Sequence, residues 1–287
     1  VTVTARYDGA AVNSSATVNF VPVVNPALTV VSASPATVNA NGSSTATVTV
    51  TYKDYAGNPI AVAPADASIL LNGSPVSITA NGTGVYTATV PARTTAETVN
   101  ATATYKGAAV SSTANVSFVA ALNLAATEVT ASPVTVNADG TSTSTATVSF
   151  KDYAGNAIAV ETAKVKLLLN NVSVAIVADG TGVYKATVPA RIVAETVHVT
   201  AQYDATTVTD DATVTFVAAL NLAATEVTAT PNQVAANGSS TATAKVVFKD
   251  YNGNPIAVDG AKVRLLLDGI AASITPASAG TYIATVP

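Results

Sequence analysis

The octapeptide Lys53-Asp54-Tyr55-Ala56-Gly57-Asn58-Pro59-Ile60 returns as Lys151-Asp152-Tyr153-Ala154-Gly155-Asn156-Ala157-Ile158 and again as Lys249-Asp250-Tyr251-Asn252-Gly253-Asn254-Pro255-Ile256, at an interval of 98 residues both times. The same interval separates Tyr7, Tyr105 and Tyr203, then Phe20, Phe118 and Phe216, then Pro35, Pro133 and Pro231, then Tyr86, Tyr184 and Tyr282. A fixed period of this kind makes each copy one structural unit and excludes a single merged core.

Within a copy the side chains alternate. Ser144, Ala146, Val148 and Phe150 share one face of a strand, and Thr143, Thr145, Thr147, Ser149 and Lys151 share the other. Val197, Val199, Ala201 and Tyr203 alternate with His198, Thr200 and Gln202 in the same way, and Ala212, Val214 and Phe216 alternate with Asp211, Thr213 and Thr215. Period two is the mark of a half-buried strand, and the Thr and Val enrichment suits a pleated surface. No stretch carries a helical period. Asn41-Gly42, Asp139-Gly140 and Asn237-Gly238 supply the positive φ of tight turns. About seven short strands per copy, with a turn every dozen residues, predict an all-β fold: tandem immunoglobulin-like β-sandwich domains in an extended rod.

The expected frame is residues 1–25 as the last two strands of a preceding domain, whole domains at 26–121 and 122–219, and a domain at 220–287 lacking its last strands. The junction Val119-Ala120-Ala121-Leu122-Asn123-Leu124 is short, apolar and free of Gly and Pro, which predicts a stiff joint packed on both neighbours. Val1 aligns with Val99 and Val197. The chain therefore reads as a window cut from a longer array, whose first hairpin would complete the open domain of a further copy.

Composition excludes several function classes. Net charge is -4, so there is no basic face for nucleic acid. No run is apolar enough for membrane insertion in this segment. The chain has no Cys, which removes disulfide scaffolds and thiolate metal sites and points to a bacterial or archaeal surface protein stabilised by sheet packing. Only 10% of residues are charged, against roughly 25% in an average protein, so Thr, Ser and Asn must form the surface.

The alternating Thr/Val run, the Lys-Asp-Tyr-x-Gly-Asn-Pro-Ile turn and the following Val/Leu strand resemble the bacterial immunoglobulin-like domains of the invasin and intimin type. Further parts of that pattern are Ala33-Ser34-Pro35 with Asn41-Gly42, Ala131-Ser132-Pro133 with Asp139-Gly140, and Ala229-Thr230-Pro231 with Asn237-Gly238. The resemblance covers essentially the whole chain. It implies a rod of sandwich domains on a cell surface, used as stalk or adhesin, with receptor contacts made by terminal domains outside this segment.

The residues yield no catalytic constellation. His198 is replaced by Thr2 and Asn100 in the sister copies, and Asp210-Asp211 by Ser112-Thr113; adjacent strand residues also point to opposite faces. Asp54, Asp152 and Asp250 do recur. With Gly57, Asn58, Gly155, Asn156, Gly253 and Asn254 they read as a structural turn in which the carboxylate accepts backbone N–H bonds. A calcium site sharing oxygens with Asn58 and backbone carbonyls is the alternative. Lys53, Lys151 and Lys249 read as strand-end cations rather than partners in an isopeptide bond. Arg93 with Glu97, and Arg191 with Glu195, read as surface ion pairs. Asn41 and Asn237 share a glycosylation sequon position.

The reading is thus a non-catalytic structural segment of an extracellular surface protein, a stiff stalk or spacer of an adhesin with no cofactor. Its partners would be neighbouring copies of the repeat, and a host or cell-surface ligand bound through other domains. One alternative is a segment of a self-assembling surface layer or filament with laterally packed chains. Another is an accessory carbohydrate-binding module, disfavoured because there is no Trp and the Tyr residues fall mostly on core faces.

Overall fold

The computed structural model describes residues 1–287. Its regular structure is β-strand, apart from three single-turn 3-10 segments at Pro64–Asp66, Thr162–Lys164 and Gly260–Lys262. The chain divides into two compact units, residues 1–122 with 152–154, and residues 123–151 with 155–287.

The first unit opens on an antiparallel hairpin, Thr2–Tyr7 with Ala10–Thr17. A β-sandwich follows. One sheet runs in the order Val30–Ser34, Ala46–Thr51, Val85–Val90, Thr79–Ala80; the other runs Thr37–Ala40, Ala114–Ala120, Glu97–Tyr105, Ala67–Leu71, Ser74–Val76. The entering chain serves both sheets. It pairs with Ala46–Thr51 up to Ser34, passes the cis Ser34–Pro35 peptide, and then lies parallel to Ala114–Ala120. Alternation decides which side chains go inside. Ala46, Val48 and Val50 are buried while Thr47 faces solvent. Their partners across the sandwich are Ile69, Val99, Ala101 and Val116, all fully buried.

The second unit repeats this arrangement over residues 122–218, with Leu122–Ser132, Ser144–Asp152, Val183–Val188 and Val177–Ala178 in one sheet. Thr135–Ala138, Ala212–Ala218, Glu195–Tyr203, Val165–Leu169 and Val172–Val174 form the other. Residues 220–287 hold the first sheet entire, as Leu220–Thr230, Ala242–Asp250, Thr281–Val286 and Thr275–Ser278; of the second sheet they hold only Leu266–Leu267 paired with Ile270–Ala271. Each full sandwich thus has ten strands rather than about seven. The entering chain is split at the proline, and pairs such as Ala108–Ala109 are too short to show as alternation.

An aromatic knot centres each domain. Tyr52, Phe150 and Phe248 occupy one position, 98 residues apart, and meet Tyr86, Tyr184 and Tyr282 edge-on at centroid separations of 6.0, 6.0 and 6.1 Å, a favoured geometry for aromatic pairs. The Tyr hydroxyls reach the carbonyls of Val62, Val160 and Val258, so each buried ring satisfies its polar tip. Most tyrosines lie on core faces as expected; within the three domains Tyr55, Tyr153 and Tyr251 are the exceptions, exposed on the recurring turn, because a turn tip has no opposing sheet to cover it.

Candidate functional site

The recurring octapeptide closes the long strand of each first sheet. In the first copy Asp54 Oδ1 accepts the N–H groups of Ala56 and Asn58, both at 2.9 Å. The Asp54 N–H donates to the Asn58 carbonyl, and the Gly57 N–H to the Asp54 carbonyl. Asp152 accepts from Ala154 N–H at 2.9 Å, and Asp250 from Asn254 N–H at 2.8 Å. Gly57, Gly155 and Gly253 stand at φ of +85°, +85° and +87°, where a Cβ is disfavoured. Asn58, Asn156 and Asn254 are exposed; at Asn58 and Asn254 the backbone N–H and carbonyl both bond the aspartate.

The strand entering each domain lies against this turn. Val24 bridges to Asp54, the Asn25 N–H donates to the Lys53 carbonyl at 2.7 Å, and Leu220 and Asn221 pair with Asp250 and Lys249. A second recurring turn therefore sits beside the first, and the sequence reading missed it. Asn25, Asn123 and Asn221 accept the N–H two residues on through Oδ1, and their carbonyls accept the hydroxyls of Thr29, Thr127 and Thr225. The same 98-residue spacing would have revealed it, since both residue types recur.

Two other roles differ from the sequence reading. Lys151 and Lys249 pair with Glu128 and Glu226 on the neighbouring strand; the first domain has Val30 in place of that glutamate. Asp210 is not idle: its carboxylate accepts the Val129 N–H at 2.8 Å, and Ser112 Oγ accepts the Val31 N–H at 3.0 Å. An acid and a hydroxyl do one job, tying a loop of the second sheet to the edge of the first. Arg93 and Arg191 pair with Glu97 and Glu195 and also lie 5.9 Å from the centroids of Phe118 and Phe216. His198 is exposed on its strand. At Asn41 and Asn237 the side-chain oxygen accepts the N–H groups of the next two serines, Ser43 with Ser44 and Ser239 with Ser240.

Asp139 takes that place in the second domain, and bonds from the Ser142 hydroxyl, the N–H groups of Ser142 and Thr141, and the Thr141 hydroxyl hold its carboxyl well below the usual carboxylate range. A folded-state pKa below the unfolded one gives stability that is present above roughly pH 4 and lost as pH falls through the folded value. Asp139→Asn, which installs the sister residue, is expected to flatten the fall in melting temperature of the second domain below about pH 4. Calorimetry across that range reads it directly.

Surface depressions differ in charge: one is lined by Glu128, Lys151 and Asp210 together. Another, lined by Thr145, Val174, Ala175, Val177, Ala186 and Thr187, holds a single ionic side chain, Lys185.

The family model for invasin domain 3 matches residues 25–121, 123–219 and 221–287. No curated protein matches the chain. Among solved structures, the Escherichia coli adhesin FdeC is 21% identical over 93% of this chain and 90% of that one, with a TM-score of 0.47. Invasin, described as a bacterial integrin-binding protein, is 23% identical over 90% of this chain with a TM-score of 0.45; the match spans 54% of that chain, about half its length. InvD of Yersinia pseudotuberculosis is 19% identical over 77% of this chain and 69% of that one, with a TM-score of 0.41.

Proposed function

The chain belongs to the invasin domain 3 family, and from that premise we propose that it is a non-catalytic spacer of an extracellular adhesin, holding a binding domain away from the cell that carries it. The observation that supports this most is self-containment. The core of the first domain draws only on residues between Val24 and Phe118. A unit that buries its own apolar residues adds length without new chemistry. The domains are taken as 26–121, 122–219 and the segment 220–287, with residues 1–25 belonging to a preceding unit.

In this reading Asp54, Asp152 and Asp250 with their Gly and Asn partners are structural, holding the turn beside each entering strand. The Oδ1 of Asp54 accepts two N–H groups, the bonding expected of a turn-closing carboxylate. Chelation with EDTA is expected to leave the melting curve of residues 1–287 unchanged; a fall restored by calcium would assign these turns to a metal.

The spacer role is tested by excising one period, residues 122–219, from the cell-bound parent. Reach should shorten while the binding specificity of the adhesin persists. Loss of specificity with the period would move the ligand site into these repeats.

A further inference from the structure

The first whole domain holds three Asn-Gly pairs: Asn41-Gly42, Asn72-Gly73 and Asn81-Gly82. A glycine has no Cβ to shield its nitrogen, so at each pair that nitrogen can attack the asparagine carboxamide carbon when the two groups meet. In all three the glycine is followed by Ser or Thr, so local sequence does not separate them. Freedom to meet does, because a group held elsewhere is kept from the near-attack geometry.

At Asn41 both groups are held. The side-chain oxygen accepts the N–H groups of Ser43 and Ser44 and the Ser43 hydroxyl, at 3.0, 2.8 and 3.0 Å. The Gly42 N–H donates to the Arg93 carbonyl at 2.8 Å. At Asn72 the carboxamide oxygen accepts the Asn100 N–H at 2.8 Å, and the Asn72 N–H donates to the Asn100 carbonyl at the same distance. The second domain keeps both arrangements: Asp139 accepts from Thr141 and Ser142, and Asn170 accepts the His198 N–H.

Asn81 is different. It stands on the exposed turn between Thr79–Ala80 and Val85–Val90. The main chain there is fixed: the Asn81 N–H donates to the Val85 carbonyl at 2.8 Å, and the Val85 N–H to the Gly82 carbonyl at 3.3 Å. Neither the Asn81 carboxamide nor the Gly82 N–H has a hydrogen-bond partner, and a Cβ built on Gly82 would meet nothing within 4 Å. The second domain carries Asp179 at this position, paired with Lys185 at 2.5 Å, and its Gly180 stands at φ +110° against +114° for Gly82. The same turn therefore accepts a carboxylate without a change of backbone.

We propose that Asn81 is a site of spontaneous deamidation, set apart from Asn41 and Asn72 by the hydrogen bonds that hold those two. The Gly82 nitrogen gives its proton to solvent and bonds to Asn81 Cγ. The carboxamide C–N bond breaks, and the nitrogen takes a proton from water and leaves as ammonia. Water then opens the five-membered imide at either carbonyl, and nothing is oxidised or reduced. One opening gives aspartate, the residue of the sister domain. The other gives isoaspartate, in which the side-chain carbon has entered the main chain. Either product adds a negative charge that no lysine meets, since Thr87 stands where the second domain has Lys185. Isoaspartate also lengthens the turn that fixes the edge strand Thr79–Ala80 to its neighbour. The first domain thus carries a chemical clock that the second, which has no Asn-Gly pair, does not share.

The test ages residues 1–287 in mildly alkaline buffer, digests the chain, and follows Asn41, Asn72 and Asn81 by mass and fragmentation. Each hydrogen bond that must open lowers the reactive population by up to about tenfold, so Asn81 should convert about tenfold faster than either of the others. Ageing in denaturant should bring the three rates together. Asn81→Gln, whose longer side chain closes the ring far less readily, should remove the fast conversion and leave Asn41 and Asn72 unchanged. Conversion of Asn41 or Asn72 as fast as Asn81 in the folded chain, a lead for Asn81 that persists in denaturant, or an Asn81 that does not convert would each overturn the proposal.

Discussion

Replacing Gly182 by alanine is expected to unfold the second domain at a temperature lower by about 15 °C or more, while Gly155→Ala costs about 5–10 °C. Both glycines have positive φ, +68° and +85°, so both replacements carry roughly 1–2 kcal/mol of backbone strain. Space separates them. A Cβ at Gly155 meets nothing within 4 Å, whereas one at Gly182 would sit 2.2 Å from the Ile158 carbonyl oxygen and 3.1 Å from that of Phe150. Backbone oxygen cannot swing aside as a side chain can. Relieving the overlap means parting the octapeptide from the strand it closes, at a total of about 3 kcal/mol or more. For a domain of this size each kcal/mol moves the transition by roughly 4–8 °C.

The sequence already contains the matching natural variation. Gly82 and Gly180 have open space, and Ser278 stands at that position in the third copy; Gly84 and Gly182 do not, and Gly280 is retained. Calorimetry of residues 1–287 checks the pair, and equal losses for Gly182→Ala and Gly155→Ala would refute the argument from close approach.

Phe150→Ala is expected to destabilise the same domain by about 3–5 kcal/mol. Phe150 is fully buried and meets Tyr184 and Tyr203 at 6.0 and 5.7 Å between centroids, so truncation removes two ring contacts and leaves a void between the sheets. Phe150→Tyr should cost about 1 kcal/mol or less. The first domain carries Tyr52 at this position and points its hydroxyl at the Thr104 carbonyl, 2.6 Å away; Gln202 offers the equivalent carbonyl in the second domain. A Tyr variant as damaged as the Ala variant would show that the two knots are not interchangeable. Denaturant melts of the two variants separate these outcomes.

What the sequence showed and what it hid follow from the range of each interaction. Alternation along a strand is local, and the buried faces at Ser144–Phe150, Val197–Tyr203 and Ala212–Phe216 could be read directly. So could the turn at Asp54, whose bonds span four residues. Contacts across the sandwich leave no local pattern. The Ser112 and Asp210 latches reach back 81 residues, and Lys151 finds Glu128 23 residues away. The split of the entering chain at Pro35 depends on the parallel strand at Ala114–Ala120, which only the fold brings near. Asn25 and Thr29 were a different case: the signal was present at the 98-residue spacing, but neither residue type stands out in a chain so rich in Asn and Thr.

The proposed spacer role makes one quantity decisive: the length contributed by a period. A strand of eleven residues such as Leu122–Ser132 extends about 35 Å. Small-angle scattering of residues 1–287 at low concentration should give a maximum dimension that falls by about 35 Å when residues 122–219 are excised. The cross-section should stay constant. A maximum dimension unchanged within a few ångströms, with a thinner cross-section, would mean that the domains lie side by side and that the repeats do not act as a spacer.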